Sequence, residues 1–170
     1  MRPTKDEYYL MIAEEVANRA TCFRVKIGAI IVRDDQIIAT GYVGAPRKTK
    51  DCLERGECLR DKLKIPHGQR YELCRSVHSE MNCIINAARA GVSVLNGDMY
   101  IFAKNQKGEK INSFPCFICK KILINAGLKR VICSTEEGKI KIFLVEDWVK
   151  DWQENDIIDD EHQYGEDQNS

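Results

Sequence analysis

The sequence predicts an α/β sandwich, because runs rich in β-branched residues alternate with amphipathic helical segments, an early hairpin opens the series, and the later helices carry recognisable start and stop residues. "TKDEYYLMIAEEVANRA" sets Thr4 and Glu7 at capping-box spacing, with Tyr8, Met11, Ile12 and Val16 recurring at helical intervals, so it is a first helix. "KIGAIIVRDDQIIATGY" is two β-rich runs joined at Asp34-Asp35, a hairpin. Between Val43 and Val77 the periodicity is weak; Gly44, Pro46, Gly56, Pro66 and Gly68 punctuate it, and Cys52, Cys58, His67 and Cys74 fall inside it. A loop of that length is uncommon unless it is functional or held by something. "HSEMNCIINAARAG" is a helix stopped by Gly91, and "GDMYIFA" is a strand. "PCFICKKILINAG" is a helix with Pro115 in its first turn and Gly127 after its last. "KRVICST" and "KIKIFLV" are strands, and "EDWVKDW" is a short helix. From Asp156 the chain is polar and acidic, so the expected organisation is a domain over 1–155 and a disordered tail over 156–170.

A chain of 170 residues, 44% hydrophobic and 31% charged, is long enough for one sizeable core and short for two. Its 26 basic and 26 acidic side chains cancel, which removes the global field that would draw it to nucleic acid or an anionic membrane. No apolar run approaches the roughly 20 residues that span a bilayer, and the first residues mix charge into their apolar pattern, so the expected location is cytoplasmic. In a reducing compartment 8 cysteines are not a disulfide framework, and metal ligation becomes the explanation for several of them. Cys83 and Cys133, each among apolar neighbours, read instead as small buried hydrophobes.

The chemistry gathers at two helix starts. Cys116 and Cys119, separated by two residues in a first turn, point their sulfurs the same way, and the exposed N–H groups and positive dipole end favour thiolates there. His78, at the start of the preceding helix, supplies a third ligand, so Zn²⁺ would keep an open fourth position for water, the mark of a catalytic site. Within a helix, residues i and i+2 diverge. At a helix start the backbone is only half helical, so His78 can ligate while Glu80 reaches over the open face as proton carrier. A lone CxxC or HxE is weak, but HxE followed by PCxxC, each opening a helix with a strand between them, is the signature of zinc-dependent nucleobase deaminases.

"VHSEMN" and "FPCFICKKILINAG" resemble the zinc-dependent cytidine/deoxycytidylate deaminase superfamily, and the match extends from "CFRVKIGAIIVRDDQIIATGYVGAPR" through "LKRVI". With "KIGAIIV", "GYVGAPR", a cysteine-rich loop before HxE and "AARAG" after it, the chain is most similar to deoxycytidylate (dCMP) deaminases. The resemblance implies a three-layer α/β/α fold with a central mixed sheet, hydrolysis of dCMP to dUMP and ammonia, and a homo-oligomer, often a hexamer, with dCTP and dTTP as effectors. Ser79 stands where the family usually has a small residue such as alanine, with its contact expected through the backbone. Val43 stands where the family commonly has asparagine.

Some of these deaminases carry a second, structural zinc, and the resemblance implies Cys22, Cys52 and Cys74 as its ligands, with Cys58 or His67 as the fourth. Arg24, Lys26 and Arg47 lie near turns where they could meet a 5′-phosphate, and Arg89 matches an arginine of related enzymes. Residues 103–113 are longer than the family pattern, with Lys107-Gly108-Glu109 able to turn a hairpin at the rim of the site or at a subunit contact. The competing readings are deamination of cytidine, a tRNA adenosine or a riboflavin-pathway intermediate, or a non-catalytic zinc module that leaves Glu80 without a purpose.

Overall fold

In the computed structural model, which describes residues 1–155, the chain runs through α1 (Lys5–Ala17), β1 (Val25–Arg33), β2 (Gln36–Tyr42), α2 (Cys52–Arg55), α3 (Leu59–Lys62), a 3-10 turn (Tyr71–Leu73), α4 (Ser79–Arg89), β3 (Asp98–Asn105), α5 (Phe117–Asn125), β4 (Arg130–Ser134), β5 (Ile140–Leu144) and α6 (Val145–Glu154). The acidic tail expected over 156–170 lies outside the described residues. One mixed sheet carries the strand order β2-β1-β3-β4-β5; β3 and β4 are parallel and the other neighbours antiparallel. At the hairpin Asp34 and Asp35 both take positive φ, 51° and 61°, the twist a two-residue connection requires.

Alternation along β1 divides the core into two. Ile30 and Val32 face α1, where they meet Tyr9, Leu10, Ala13, Tyr100, Phe102 and Ile132. Ala29 and Ile31 face the other way, into a cluster with Cys83, Ala87, Met99, Ile101, Leu123, Cys133 and Trp148 that α4, α5 and α6 cover. Helices therefore lie on both faces, which explains why β1, β3 and β4 read as continuous apolar runs. This is the expected three-layer α/β/α arrangement with its mixed sheet. Cys83 and Cys133 are fully buried among apolar side chains, as their flanks predict.

Helix α4 is fixed onto β2 by contacts that side chains of ordinary size would prevent. A Cβ added at Gly41 would fall 2.6 Å from the Ser79 carbonyl oxygen and onto the backbone of Cys83. Asn82 and Asn86 donate to the carbonyls of Tyr42 and Thr40 at 2.8 and 2.6 Å. Four residues of helix and two of strand both advance about 6–7 Å, so the two amides meet two successive same-side carbonyls. On the opposite face Gly28 lets α1 approach β1 in the same way, an added Cβ falling 2.9 Å from Ala17 Cα.

The segment from Val43 to Val77 is not wholly irregular. It holds α2, with a reciprocal Asp51/Glu54 capping box closed by Gly56 at φ 70°, and the equally short α3. The extra residues after β3 do turn a hairpin: Gly108 takes φ 84°, Lys104 bridges Lys110, and Gln106 reaches back to the Cys22 carbonyl at 3.0 Å.

Candidate active site

His78 is the N-cap of α4, with extended backbone at φ −64° and ψ 151°, so its side chain leaves the helix axis while Glu80 already belongs to the first turn. A short bridge between Gly44 and Val77, closed by the Val77 N–H on the Gly44 carbonyl at 2.8 Å, fixes the residue before it. Cys116 is likewise the N-cap of α5, at φ −69° and ψ 169°. Pro115, expected inside the first turn, stands one residue before that cap, because Cys116 takes the extended conformation that precedes a helix. The two helix starts converge: His78 Nδ1 lies 3.5 Å from Cys116 Sγ and 3.3 Å from Cys119 Sγ.

These three donor atoms lie within 4.8 Å of one another, and no other such group of histidine, cysteine or carboxylate donors occurs among the described residues. Zinc bound at about 2.3 Å to sulfur and about 2.05 Å to nitrogen has a tetrahedral N···S edge of about 3.5 Å, so the triad fits that ion. Its protonation fits as well. The Cys116 thiol is pulled down to about 4, chiefly by the hydrogen bond Cys119 donates and then, against burial, by His78. Cys119 is pushed up because it donates to Cys116 and is buried. Burial draws the His78 imidazole down, but its hydrogen bond to Cys116 and the charges of Glu80 and Cys116 outweigh that, and its pKa is raised. One proton shared among clustered donors is what a divalent cation displaces.

Glu80 is 6% exposed and stands outside the ligand set. The Ser79 hydroxyl donates to Glu80 Oε2 at 2.9 Å, a side-chain contact beyond the backbone one expected of this serine. The Tyr71 ring meets the His78 imidazole edge-on, 5.0 Å between centroids. His78, Cys116 and Glu80 line a cavity of about 640 Å³, within the range of small-molecule sites, while Cys119 is buried behind them. Its apolar wall includes Ile27, Val43, Ile111 and Phe114, so the inserted hairpin does form part of the rim.

The other sequence candidates divide by position. Arg24 lines the cavity, its Nε donating to Asp61 at 2.9 Å. Arg47 and Arg89 line a separate groove of about 270 Å³, where Arg47 donates to Asn86. Lys26 sits on β1 opposite Lys104 and lines neither space. Cys22, Cys52, Cys58, Cys74 and His67 all line the catalytic cavity. No three of these five donors come within 4.8 Å of one another. The Arg24 N–H donates to Cys22 Sγ at 3.3 Å, and burial pushes the Cys22 and Cys52 thiols up, the latter against a hydrogen bond from Arg75. Arg60, Tyr71, Asn112 and Phe114 on the same wall were not anticipated; each is a lone residue in a stretch without periodicity, and only the aromatic character of Tyr71 and Phe114 hinted at a lined pocket.

A His/Cys/Cys triad at paired helix starts, with a buried carboxylate beside it on a mixed α/β sheet, is the donor set of a zinc-binding protein. Residues 3–135 match the family described as the cytidine and deoxycytidylate deaminase zinc-binding region, and the chain belongs to that family. It is 31% identical over 134 residues to the deoxycytidylate deaminase of Schizosaccharomyces pombe, covering 79% of this chain and 38% of that protein. The deoxycytidylate deaminase of Mycobacterium phage D29 is 30% identical over 139 residues, 79% of this chain and 98% of the phage protein. The chain thus spans about two fifths of the fungal relatives it matches and nearly all of the phage one. The fold is shared with the dCMP deaminase of cyanophage S-TIM5, at TM-score 0.54 and 24% identity over 77% of this chain and 82% of that one.

Proposed function

We propose that the chain is a zinc-dependent deaminase that hydrolyses dCMP to dUMP and ammonia. The observation that carries this reading is Glu80, buried beside the His78/Cys116/Cys119 triad and lining a cavity of nucleotide size. The deoxycytidylate deaminases among its relatives support the choice of substrate. Zinc held by the triad supplies Lewis-acid activation of the attacking water near neutral pH. Glu80 takes a proton from the attacking water and delivers it to the ring nitrogen beside the amino-bearing carbon; it then takes the second proton, from the hydroxyl now on that carbon, and gives it to the amine, which leaves as ammonia as the C–N bond breaks and the carbonyl forms. The Ser79 hydroxyl, donating to Oε2, holds the carboxylate in one rotamer between these transfers. Val43, Ile111 and Phe114 exclude bulk water from the base. Incubation with dCMP, deoxycytidine, cytidine and adenosine substrates, followed by ammonia release, tests the proposal; dCMP is expected to give the highest kcat/KM, and turnover of another member with none for dCMP would move the assignment.

A second, structural zinc on Cys22, Cys52, Cys74 and either Cys58 or His67 is part of this proposal, supported by their common wall and by the backbone N–H on Cys22. Metal analysis is expected to find two zinc ions per chain. Cys52→Ser and Cys74→Ser are each expected to remove one and to lower Tm, since a closed site contributes folding free energy. One zinc in the wild type, with both variants unchanged in melting, would show these to be ordinary thiols. Among the described residues no helix is long and apolar enough to cross a membrane. A cytoplasmic homo-oligomer responsive to dCTP and dTTP completes the proposal on the resemblance; sedimentation mass, and activity with each nucleotide added, test it.

A further inference from the structure

We infer that Arg60 forms the subsite for an anionic group on the substrate, the 5′-phosphate of the nucleotide on the reading above, on which this inference rests. Arg60 opens the last turn of α3, is 5% exposed and lines the catalytic cavity. Two other arginines of that wall are neutralised: Arg24 by Asp61, and Arg75 by Glu57 at 3.0 Å. Arg60 has no carboxylate in ion-pair contact among the described residues. Its Nη2 donates to the Pro66 and Gln69 carbonyls at 2.7 Å each, its guanidinium carbon lies 5.0 Å from the Tyr71 ring centroid, and its buried Nε has no partner. The nearest acids are engaged elsewhere, Asp61 with Arg24 and Glu72 with Arg70.

A buried guanidinium held only by neutral dipoles and an aromatic face is an uncompensated charge, which low-dielectric surroundings make unfavourable until an anion arrives. The position suits the ligand. Two successive 5.0 Å steps, from the guanidinium to Tyr71 and from Tyr71 to the His78 ring, place Arg60 within about 10 Å of the triad, a distance a pyrimidine base and its sugar bridge. Ser76 lies on the same wall, 8% exposed, and its buried hydroxyl is also without a partner. Arg60 Nε and the Ser76 hydroxyl are thus two unpartnered buried donors among the residues that line the cavity holding Glu80.

The test compares binding of dUMP and deoxyuridine by calorimetry, and kcat/KM for dCMP and deoxycytidine, in wild type, Arg60→Gln and Arg60→Lys. The wild type is expected to prefer each nucleotide over its nucleoside. Arg60→Gln is expected to narrow both preferences by about tenfold to a hundredfold, with deoxyuridine binding unchanged. Arg60→Lys, which keeps the charge and a donor for the loop carbonyls, is expected to fall between. Preferences that survive in Arg60→Gln, or equal weakening of nucleotide and nucleoside, which is what a purely structural role gives, would overturn the inference. Inorganic phosphate titrated alone separates the two failures. If the wild type turns over no dCMP the proposed function falls, while phosphate bound by wild type and not by Arg60→Gln upholds the anion subsite; phosphate bound equally by both, or by neither, overturns it.

Discussion

Glu80→Gln is expected to keep the wild-type zinc content and to lose turnover by about 10⁴-fold. General acid–base groups contribute about 10²–10⁴, and the upper end applies because one carboxylate serves every proton transfer of the proposed reaction. The substitution is nearly isosteric, leaves His78, Cys116 and Cys119 untouched, and keeps an oxygen to accept from Ser79. Metal content by atomic emission and turnover by ammonia release measure the two quantities separately. Near wild-type turnover would remove Glu80 from the mechanism, and loss of zinc would move it into the ligand set.

Gly41→Ala is expected to lower both stability and turnover, although Gly41 touches neither metal nor substrate. The added methyl has no room between β2 and the backbone of Ser79 and Cys83, so α4 must move away from the sheet. Overpacking of this kind costs about 1–3 kcal/mol. His78 and Glu80 ride on α4, whereas Cys116 and Cys119 ride on α5, so displacement of one helix opens the triad; a shift of about 1 Å is enough to cost about 10²-fold in rate. Gly28→Ala is the control. It forces α1 from the opposite face of the sheet, and is expected to lower Tm comparably while kcat stays near wild type. Equal losses of kcat in both variants would show that stability alone accounts for the effect.

The parts of the molecule legible in the sequence are those with a period or a cap. The capping box at Thr4, the paired aspartates at the hairpin, the alternation in β5 and the glycines after α4 and α5 each leave a local pattern, and each element stands where that pattern put it. The His78 and Cys116 arrangement was readable for the same reason, since an N-cap has a known extended geometry. Helices α2 and α3 are each 4 residues long, barely one turn, and show no repeat, so the Asp51/Glu54 box and Gly56 around α2 are easily passed over as loop residues and α3 has no side-chain cap at all. Arg89 shows how spacing alone places a residue. Eleven residues beyond His78, it returns to nearly the same angular position on α4, but about 16 Å along the axis, and so it lines the far groove. Arg60 carries no local mark at all; its significance comes from which acids are already paired around it, and only the folded chain settles that.

The bonds from Asn82 and Asn86 to the β2 carbonyls bear on how copies of this chain can meet. A strand at the border of a sheet offers its outward carbonyls and amides as a template for any extended segment that passes. At Thr40 and Tyr42 those carbonyls are already taken by amides of the same molecule, so sheet-to-sheet growth is blocked along the border next to α4. The helix that presents His78 and Glu80 thereby guards its own flank against aggregation, and the same two asparagines serve both ends.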